Sequence, residues 1–318
     1  MALVPEMRKN LRILLTTVSG QDSTIFSKLA HERQHVLFGL NHRAGKSVLS
    51  PYYNSIYNMD FKDSNKLAKI ILESEIDVIV NTAALSSVHK SFEHPSDYME
   101  TNYWAVLRLL KILENHRYGG DFLQFGSTDM FGTEIVSANQ GQLFPWSPYG
   151  ESKAEAFKAV RSFRMNQGMK FSNIILTNHD SNFRPDHYVI KFIANQFVSM
   201  ISEGDTNITL QDPSIIRDWA SAEDLMSGVL NYIELGHVGD FSFATGCSLS
   251  LKDLIFEVAD GFKLEVSLEV QGSPNTRFRQ AKRILVDTSD TERELNWRAS
   301  FKRGDTLNYM IREKLRSK

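Results

Sequence analysis

The sequence predicts an α/β protein, a doubly wound parallel sheet followed by a smaller, mixed α/β C-terminal lobe. Three features point there. Short apolar runs alternate with helix-length segments as far as Asn178, the alternation then breaks into loop-rich sequence, and 318 residues with 42% hydrophobic content suffice for a large core.

Leu11 to Leu15 reads as a short buried strand, followed by a polar turn and a helix from about Thr24 to Glu32. A second strand, His35 to Leu40, ends in the polar Asn41-His42-Arg43. A helix near Ser64 to Ser74 precedes a third apolar strand, Asp77 to Asn81. The rhythm continues with a helix from about Pro95 to Asn115, a strand from Asp121 to Phe125, a helix from Pro148 to about Gln167 and a strand from Phe171 to Leu176. Such alternation favours parallel strands covered on both faces. Beyond Asn178, helices are expected near Val189 to Glu203, Ala222 to Glu234, Leu251 to Ala259 and Thr306 to Leu315. The expected division is a dinucleotide-binding domain of residues 1–178 and 212–246, with a substrate lobe of 179–211 and 247–318. No Gly/Ser/Pro linker separates them, which favours a cleft over a flexible joint.

Composition narrows the function. A net charge of −2 with scattered Lys and Arg offers no basic stripe for nucleic acid or an anionic membrane. The single Cys247 excludes an internal disulfide and any multi-cysteine metal site, suits a reducing cytoplasm, and reads as a packing residue. No apolar run approaches membrane-spanning length, and Met1 to Asn10 lacks an apolar signal core. The nine His are dispersed; His31 and His35 have i,i+4 spacing but span an expected helix end, so no metal site is predicted.

Chemistry concentrates in Ser147-Pro148-Tyr149-Gly150-Glu151-Ser152-Lys153. Serine as cap and proline at the first position suit a helix start, and four residues make about one turn, setting phenol and ammonium on one face. A neighbouring cation lowers the phenol's pKa from about 10 and makes it a usable base for a sugar hydroxyl. By itself the spacing also suits an exposed helix face. Between the first strand and helix, Thr16 to Ser23 sits where dinucleotide-binding folds place glycines against a pyrophosphate, yet only Gly20 fills its glycine position; Thr17 and Ser23 occupy the others, so the turn must differ locally. The second strand lacks a terminal Asp or Glu for the ribose 2′-hydroxyl of NAD, and His42 with Arg43 favours NADP, with NAD the alternative.

These pieces resemble the extended short-chain dehydrogenase/reductase family, and within it most closely the GDP-mannose 4,6-dehydratase family. The similarity covers nearly the whole chain and is most specific at Gly20-Gln21-Asp22, Ser86 to Phe92, Ser147 to Gly150, Thr177 to Ser181, Arg217-Asp218-Trp219, Ala244-Thr245-Gly246 and Leu295-Asn296-Trp297. The resemblance implies a Rossmann-type fold and a catalytic set of Ser127, Asp129, Tyr149 and Lys153. It further implies cofactor contacts from Thr17, Gly20, Gln21, Asp22, Asn41, Arg43, Asp60, Phe61, Ala83, Ala84, Ser86 and Asn102, besides Tyr149 and Lys153. Substrate contacts follow for Ser87, Thr128, Asn178, Arg184, Arg217 and Arg277.

In such enzymes C4 of a nucleotide-linked hexose is oxidised, the C5 proton is removed, the C6 hydroxyl is lost and hydride returns to C6. The expected partner is a nucleotide-diphosphate sugar, GDP-linked by overall similarity, in a cytoplasmic homodimer or homotetramer. Trp104, Val106, Leu109, Leu110, Phe157 and Val160 could supply the apolar faces between subunits, or pack on the sheet. Asp129 stands where relatives carry the longer glutamate, and Thr128 and Phe131 also depart from the family pattern. An enzyme that only oxidises, reduces or epimerises C4 would need Ser127, Tyr149 and Lys153 but no C5 base. A non-catalytic protein keeping the fold is the remaining alternative.

Overall fold

The computed structural model describes residues 7–42, 50–59, 63–132, 135–138, 142–271 and 282–317. Two compact units emerge: Met1–Gly132, Ala138–Leu176 and Met226–Phe241 form the first, and Thr133–Ser137, Thr177–Leu225 and Ser242–Lys318 the second.

The first unit opens with β1 (Arg12–Leu15), α1 (Gln21–Glu32), β2 (Val36–Asn41), β3 (Ser55–Asn58), α2 (Ser64–Glu73) and β4 (Val78–Asn81). It continues with α3 (Val88–Glu93), α4 (Pro95–Met99) and α5 (Ala105–Asn115), then β5 (Asp121–Ser127). A two-residue strand of the second unit, β6 (Ile135–Val136), precedes α6 (Pro148–Gln167) and β7 (Phe171–Leu176). The main sheet has the order β3-β2-β1-β4-β5-β7, with every one of these pairings parallel, and is extended beyond β7 by β11 (Asp240–Phe243). Reversal of strand order about β1 and β4 is the mark of a doubly wound sheet.

Strands buried on both faces need apolar side chains throughout, and β1, β4, β5 and β7 are nearly all buried. One face carries Leu14, Ile79, Phe122 and Phe171, which pack with α2, α5 and α6 through Leu67, Ile71, Leu109, Leu113, Ala156 and Val160. Fully burying each such side chain is worth about 1.5–3 kcal/mol.

Several boundaries differ from expectation, each for a local reason. Helix α1 starts at Gln21 rather than near Thr24, because Gly20 (φ 100°) turns the chain and its carbonyl already accepts Thr24 N at 3.1 Å. The short edge strand β3 and the helix α3 were not expected; β3 has a half-exposed pattern and is defined only by its pairing with β2. The segment 95–115 is not one uniform α-helix, since a π-helical turn at Glu100–Trp104 joins α4 to α5. Of the two roles open to the apolar side chains of segment 95–115 and α6, subunit contact or packing on the sheet, the second holds for all but one. Val106, Leu109, Leu110, Phe157 and Val160 are buried in the core, while Trp104 is 46% exposed.

The second unit contains β8 (Asn178–Asp180), α7 (Val189–Glu203), β9 (Asn207–Leu210) and β10 (Ile216–Ser221). Helix α8 (Ala222–Leu235) begins in the second unit and ends in the first. There follow β12 (Ser248–Ser250), α9 (Leu251–Phe262), β13 (Ser267–Val270), β14 (Leu285–Val286), α10 (Ser289–Leu295) and α11 (Asp305–Arg316). Three small sheets order as β12-β10-β8, β13-β9 and β14-β6. Helices α7, α9 and α11 enclose a core of Ile193, Phe197, Leu254, Ile255, Leu307 and Met310, with Ile208 and Trp219 from the strands. Among the described residues no helix is long and apolar enough to cross a membrane, and no group of three or more His, Cys, Asp and Glu could hold a metal ion.

Candidate active site

At the C-terminal end of β5 the chain leaves the sheet at Ser127 and enters a 3-10 turn, Thr128–Met130. Ser127 Oγ accepts the amide N–H of Asp129 at 3.3 Å and lies 3.3 Å from Asp129 Oδ2, to which it donates. Thr128 is buried and Asp129 half-buried.

Helix α6 approaches this turn closely. Ser147 caps it by accepting Gly150 N at 3.0 Å, and Pro148 holds the first helical position. A Cβ added to Gly150 would come 2.5 Å from the Asp129 carbonyl oxygen and 3.2 Å from Pro145 Cβ. Only glycine permits that approach, which explains the residue directly after Tyr149.

Tyr149 is 8% exposed, and its ring meets the Tyr98 ring edge-on at 6.3 Å. Tyr98 is held in turn by its hydroxyl, which donates to Ser87 O at 2.6 Å. One turn on, Lys153 is buried and its Nζ donates to the Phe125 carbonyl at 2.9 Å. Burial pushes its pKa down to about 8, while the carboxylate of Asp22 pulls the other way. Asp22 therefore lies close enough to influence the ammonium from the first turn of α1.

Asn102 is buried in the π-helical turn. Its amide donates to Leu85 O at 3.0 Å and to Ser152 Oγ at 3.1 Å, while its carbonyl accepts Leu85 N at 2.9 Å. It thereby ties the loop after β4, with Ala83, Ala84 and Ser86, to the face of α6 beside Lys153. Ser87 caps α3, accepting Lys90 N at 3.3 Å.

The turn after β1 departs from a glycine-rich loop in the anticipated way. Gly20 alone takes a left-handed conformation there; neither Thr17 nor Ser23 has positive φ. Thr17 Oγ1 contacts Ser19 Oγ at 3.1 Å, and Ser23 donates to Thr82 Oγ1 at 2.9 Å, so hydroxyl pairs stand where glycines would leave space. At the end of β2, Asn41 donates to Asn58 Oδ1 at 2.8 Å. The His42 ring faces the carbonyls of Thr16 (2.5 Å) and Met59 (3.3 Å). His42 thus braces this end of the sheet, a role its basic side chain alone did not suggest. A helix start with a glycine at φ 100°, a half-buried hydroxyl turn and a buried lysine fit a dinucleotide. Arg43, Asp60, Phe61 and Arg277 lie outside the described residues.

In the second unit, Asn178 opens β8 opposite Trp219 of β10. Arg184 pairs with Asp180 at 3.6 Å and stacks its guanidinium over the Tyr188 ring at 3.9 Å. Arg217 is 3% exposed and donates to Ile216 O at 2.8 Å. Its neighbour Asp218 is buried and takes Thr245 Oγ1 (2.9 Å), Thr245 N (3.1 Å) and Cys247 N (3.2 Å), which explains why Asp218 and the Ala-Thr-Gly turn occur together. Burial pushes the Asp218 carboxyl up to about 6 against those hydrogen bonds.

A doubly wound parallel sheet whose fifth strand ends at Ser127, beside a helix opening with Tyr149 and Lys153, defines an extended short-chain dehydrogenase/reductase. The model of the GDP-mannose 4,6-dehydratase family matches residues 14–310, and the chain belongs to that family. A GDP-mannose 4,6-dehydratase of Yersinia enterocolitica is 23% identical over 82% of this chain and 74% of its own. Among solved structures, a UDP-glucose 4-epimerase of Thermotoga maritima superposes with a TM-score of 0.81 at 18% identity, covering 96% of this chain and 99% of its own. A dTDP-glucose 4,6-dehydratase of Streptomyces venezuelae, solved with NAD bound, gives 0.79 at 20% identity, covering 96% and 97%. At such identities the structural likeness speaks for the fold.

Proposed function

We propose that the chain is a nucleotide-sugar 4,6-dehydratase acting on a GDP-hexose with NADP, NAD being the alternative cofactor. The carrying observation is the buried Lys153 ammonium one helical turn from Tyr149, on a helix that Gly150 brings against the Ser127–Asp129 turn.

The residues act as follows. Lys153 favours the Tyr149 phenolate, whose Oη takes the proton of the C4 hydroxyl, while Ser127 Oγ holds the C4 oxygen. The nicotinamide cofactor supplies hydride acceptance at C4 and hydride return at C6. A ketone at C4 acidifies C5, and the Asp129 carboxylate takes that proton and passes it to the C6 hydroxyl, which departs as water. Reprotonation of C5 accompanies saturation of C6, so the balance is loss of one water. Gly20, Gln21, Asp22, Asn41, Ala83, Ala84, Ser86 and Asn102 serve the cofactor in the domain of residues 1–178 and 212–246. Asn178, Arg184 and Arg217 serve the diphosphate and nucleoside in the lobe of 179–211 and 247–318, for which the arginine fork is suited. The absence of an acidic residue after β2 supports NADP. The scattered charge and reduced cysteine support a cytoplasmic enzyme, and exposed Trp104 supports a homodimer.

The test is incubation with GDP-mannose and NADP in deuterated water, followed by mass spectrometry and NMR of the product. A 4-keto-6-deoxy sugar carrying deuterium at C5 is expected; no water loss and no 4-keto product would overturn the reading. Asp129 is shorter than the glutamate of relatives and already accepts the Ser127 hydroxyl. That favours, as the second reading, C4 oxidation, reduction or epimerisation without elimination, which leaves C5 unlabelled.

A further inference from the structure

Two residues beyond the apolar row of Leu14, Ile79, Phe122 and Phe171, the same face of the sheet turns polar. Asn81 of β4 stands opposite Gln124 of β5, and Gln124 opposite Asn173 of β7. These are not idle polar residues. The Ala83 amide donates to Thr16 Oγ1 (3.1 Å), Thr16 donates to Asn81 Oδ1 (2.6 Å), and Asn81 Nδ2 donates to Gln124 Oε1 (2.7 Å). Gln124 Nε2 then donates to the Phe125 carbonyl at 2.9 Å, the oxygen that also receives Lys153 Nζ at 2.9 Å. Thr16, Asn81 and Gln124 are 0%, 2% and 1% exposed, so water cannot replace any member.

A buried amide left unpaired is costly, which gives the chain one direction of donation and one arrangement. Its terminus is fixed accordingly: the Phe125 oxygen is held between the Gln124 amide and the ammonium. An ammonium has three donors. Seating one of them on a carbonyl that cannot move decides where the other two point.

We infer that Gln124 is a positioning residue for Lys153, holding the Phe125 carbonyl as the seat of the ammonium. The inference rests on the proposed role of Lys153 beside Tyr149, and it adds a residue that touches neither substrate nor cofactor. The charged group that acts on Lys153 is Asp22 from α1, and the titratable Tyr149 lies one turn before it on its own helix.

The experiment is a pH titration of the full chain labelled with [ε-13C]lysine, followed by NMR, with Lys153→Arg used to assign the resonance. In the unaltered protein the Lys153 signal is expected to titrate below the ordinary lysine range, at about 8, because of its burial. Gln124→Glu sets a carboxylate beside the shared oxygen and is expected to raise that midpoint by about one unit or more. Gln124→Met keeps the bulk but removes the donor; the midpoint is expected to move by about half a unit or more, and kcat for C4 oxidation to fall about tenfold at little-changed KM. Thermal midpoints establish that each variant folds, and Gln124→Met carries the test if the glutamate variant does not. A Lys153 midpoint unmoved in folded variants overturns the inference. The titration needs no turnover, so a moved midpoint supports positioning even in a protein that fails on GDP-mannose, while an unmoved one in an active enzyme leaves the proposed activity standing.

Discussion

The Lys153 ammonium is buried, and burial holds its pKa at about 8 against the weaker opposing pull of Asp22. An unfolded lysine titrates at 10.5, so below pH 8 both states are charged and the folded state bears the full desolvation cost. As pH rises from 8 to 10.5 the folded state loses its proton first and the cost is relieved. Lys153→Met is therefore expected to stabilise the protein by up to about 3 kcal/mol at pH 7, with the advantage gone near pH 10.5, as read by denaturant melts at the two pH values. On the proposed mechanism the same substitution removes the cation that favours the Tyr149 phenolate, and turnover should fall by about a hundredfold or more. Tyr149→Phe should lose a comparable factor without the stability gain. Asp129→Asn should leave C4 oxidation measurable, seen as transient cofactor absorbance, while abolishing C5 exchange with solvent. At this scale Tyr149 and Lys153 were legible because helical spacing alone sets them on one face. Gln124 was not: a lone amide within a strand has no partner until register supplies Asn81 and a carbonyl.

Helix α6 shows how an element is placed by one residue without a side chain. Gly150→Ala would thrust a Cβ to 2.5 Å from backbone that cannot swing aside. A loss of about 1–3 kcal/mol is expected in urea titration, together with reduced turnover, because α6 must retreat from the Asp129 turn. In the second unit, Asp218 gives a test of opposite sign to that of Lys153. Its carboxyl is pushed up to about 6 from 3.8, so as pH rises between those values the unfolded state ionises first and stability falls. Relative to Asp218→Asn, the unaltered chain should lose about 3 kcal/mol across that window, measured by urea midpoints at pH 4 and 7. Elements such as α6, α7 and β7 were readable to the residue, since their apolar pattern marks all three and Ser147, Gly168 and Gly204 mark helix ends. The strands β3, β6, β8, β12 and β14 run to four residues or fewer, too short for periodicity, and exist through pairings that sequence does not display.

For the whole molecule, a homodimer is the proposed assembly, and the burial pattern says which side chain can report on it. Val106, Leu109, Leu110 and Leu113 of α5 are buried in the core, whereas Trp104 projects from the π-helical turn with Tyr103 packed beside it at 4.6 Å. Trp104→Glu should leave thermal stability of the isolated chain nearly unchanged but shift light-scattering mass to that of a monomer. An unaltered mass would assign the contact elsewhere. Fold class was legible because alternation of strand and helix is a property of the entire chain. The pairing of Ser147–Lys153 with Ser127–Asp129, about twenty residues apart, became a candidate site only once β5 and α6 were laid side by side.

That π-helical turn also makes the chain length here unforgiving. One surplus residue between Met99 and Ala105 lets Asn102 reach Leu85 and Ser152 while α5 still presents its oily stripe inward. Excising Tyr103 would heal the spiral into ordinary α-helix and rotate everything on one side of it by about 100°. Either the stripe or the asparagine would then face the wrong way, so a shortened gene product should aggregate or lose nucleotide affinity, even though its helix would be locally more regular than before.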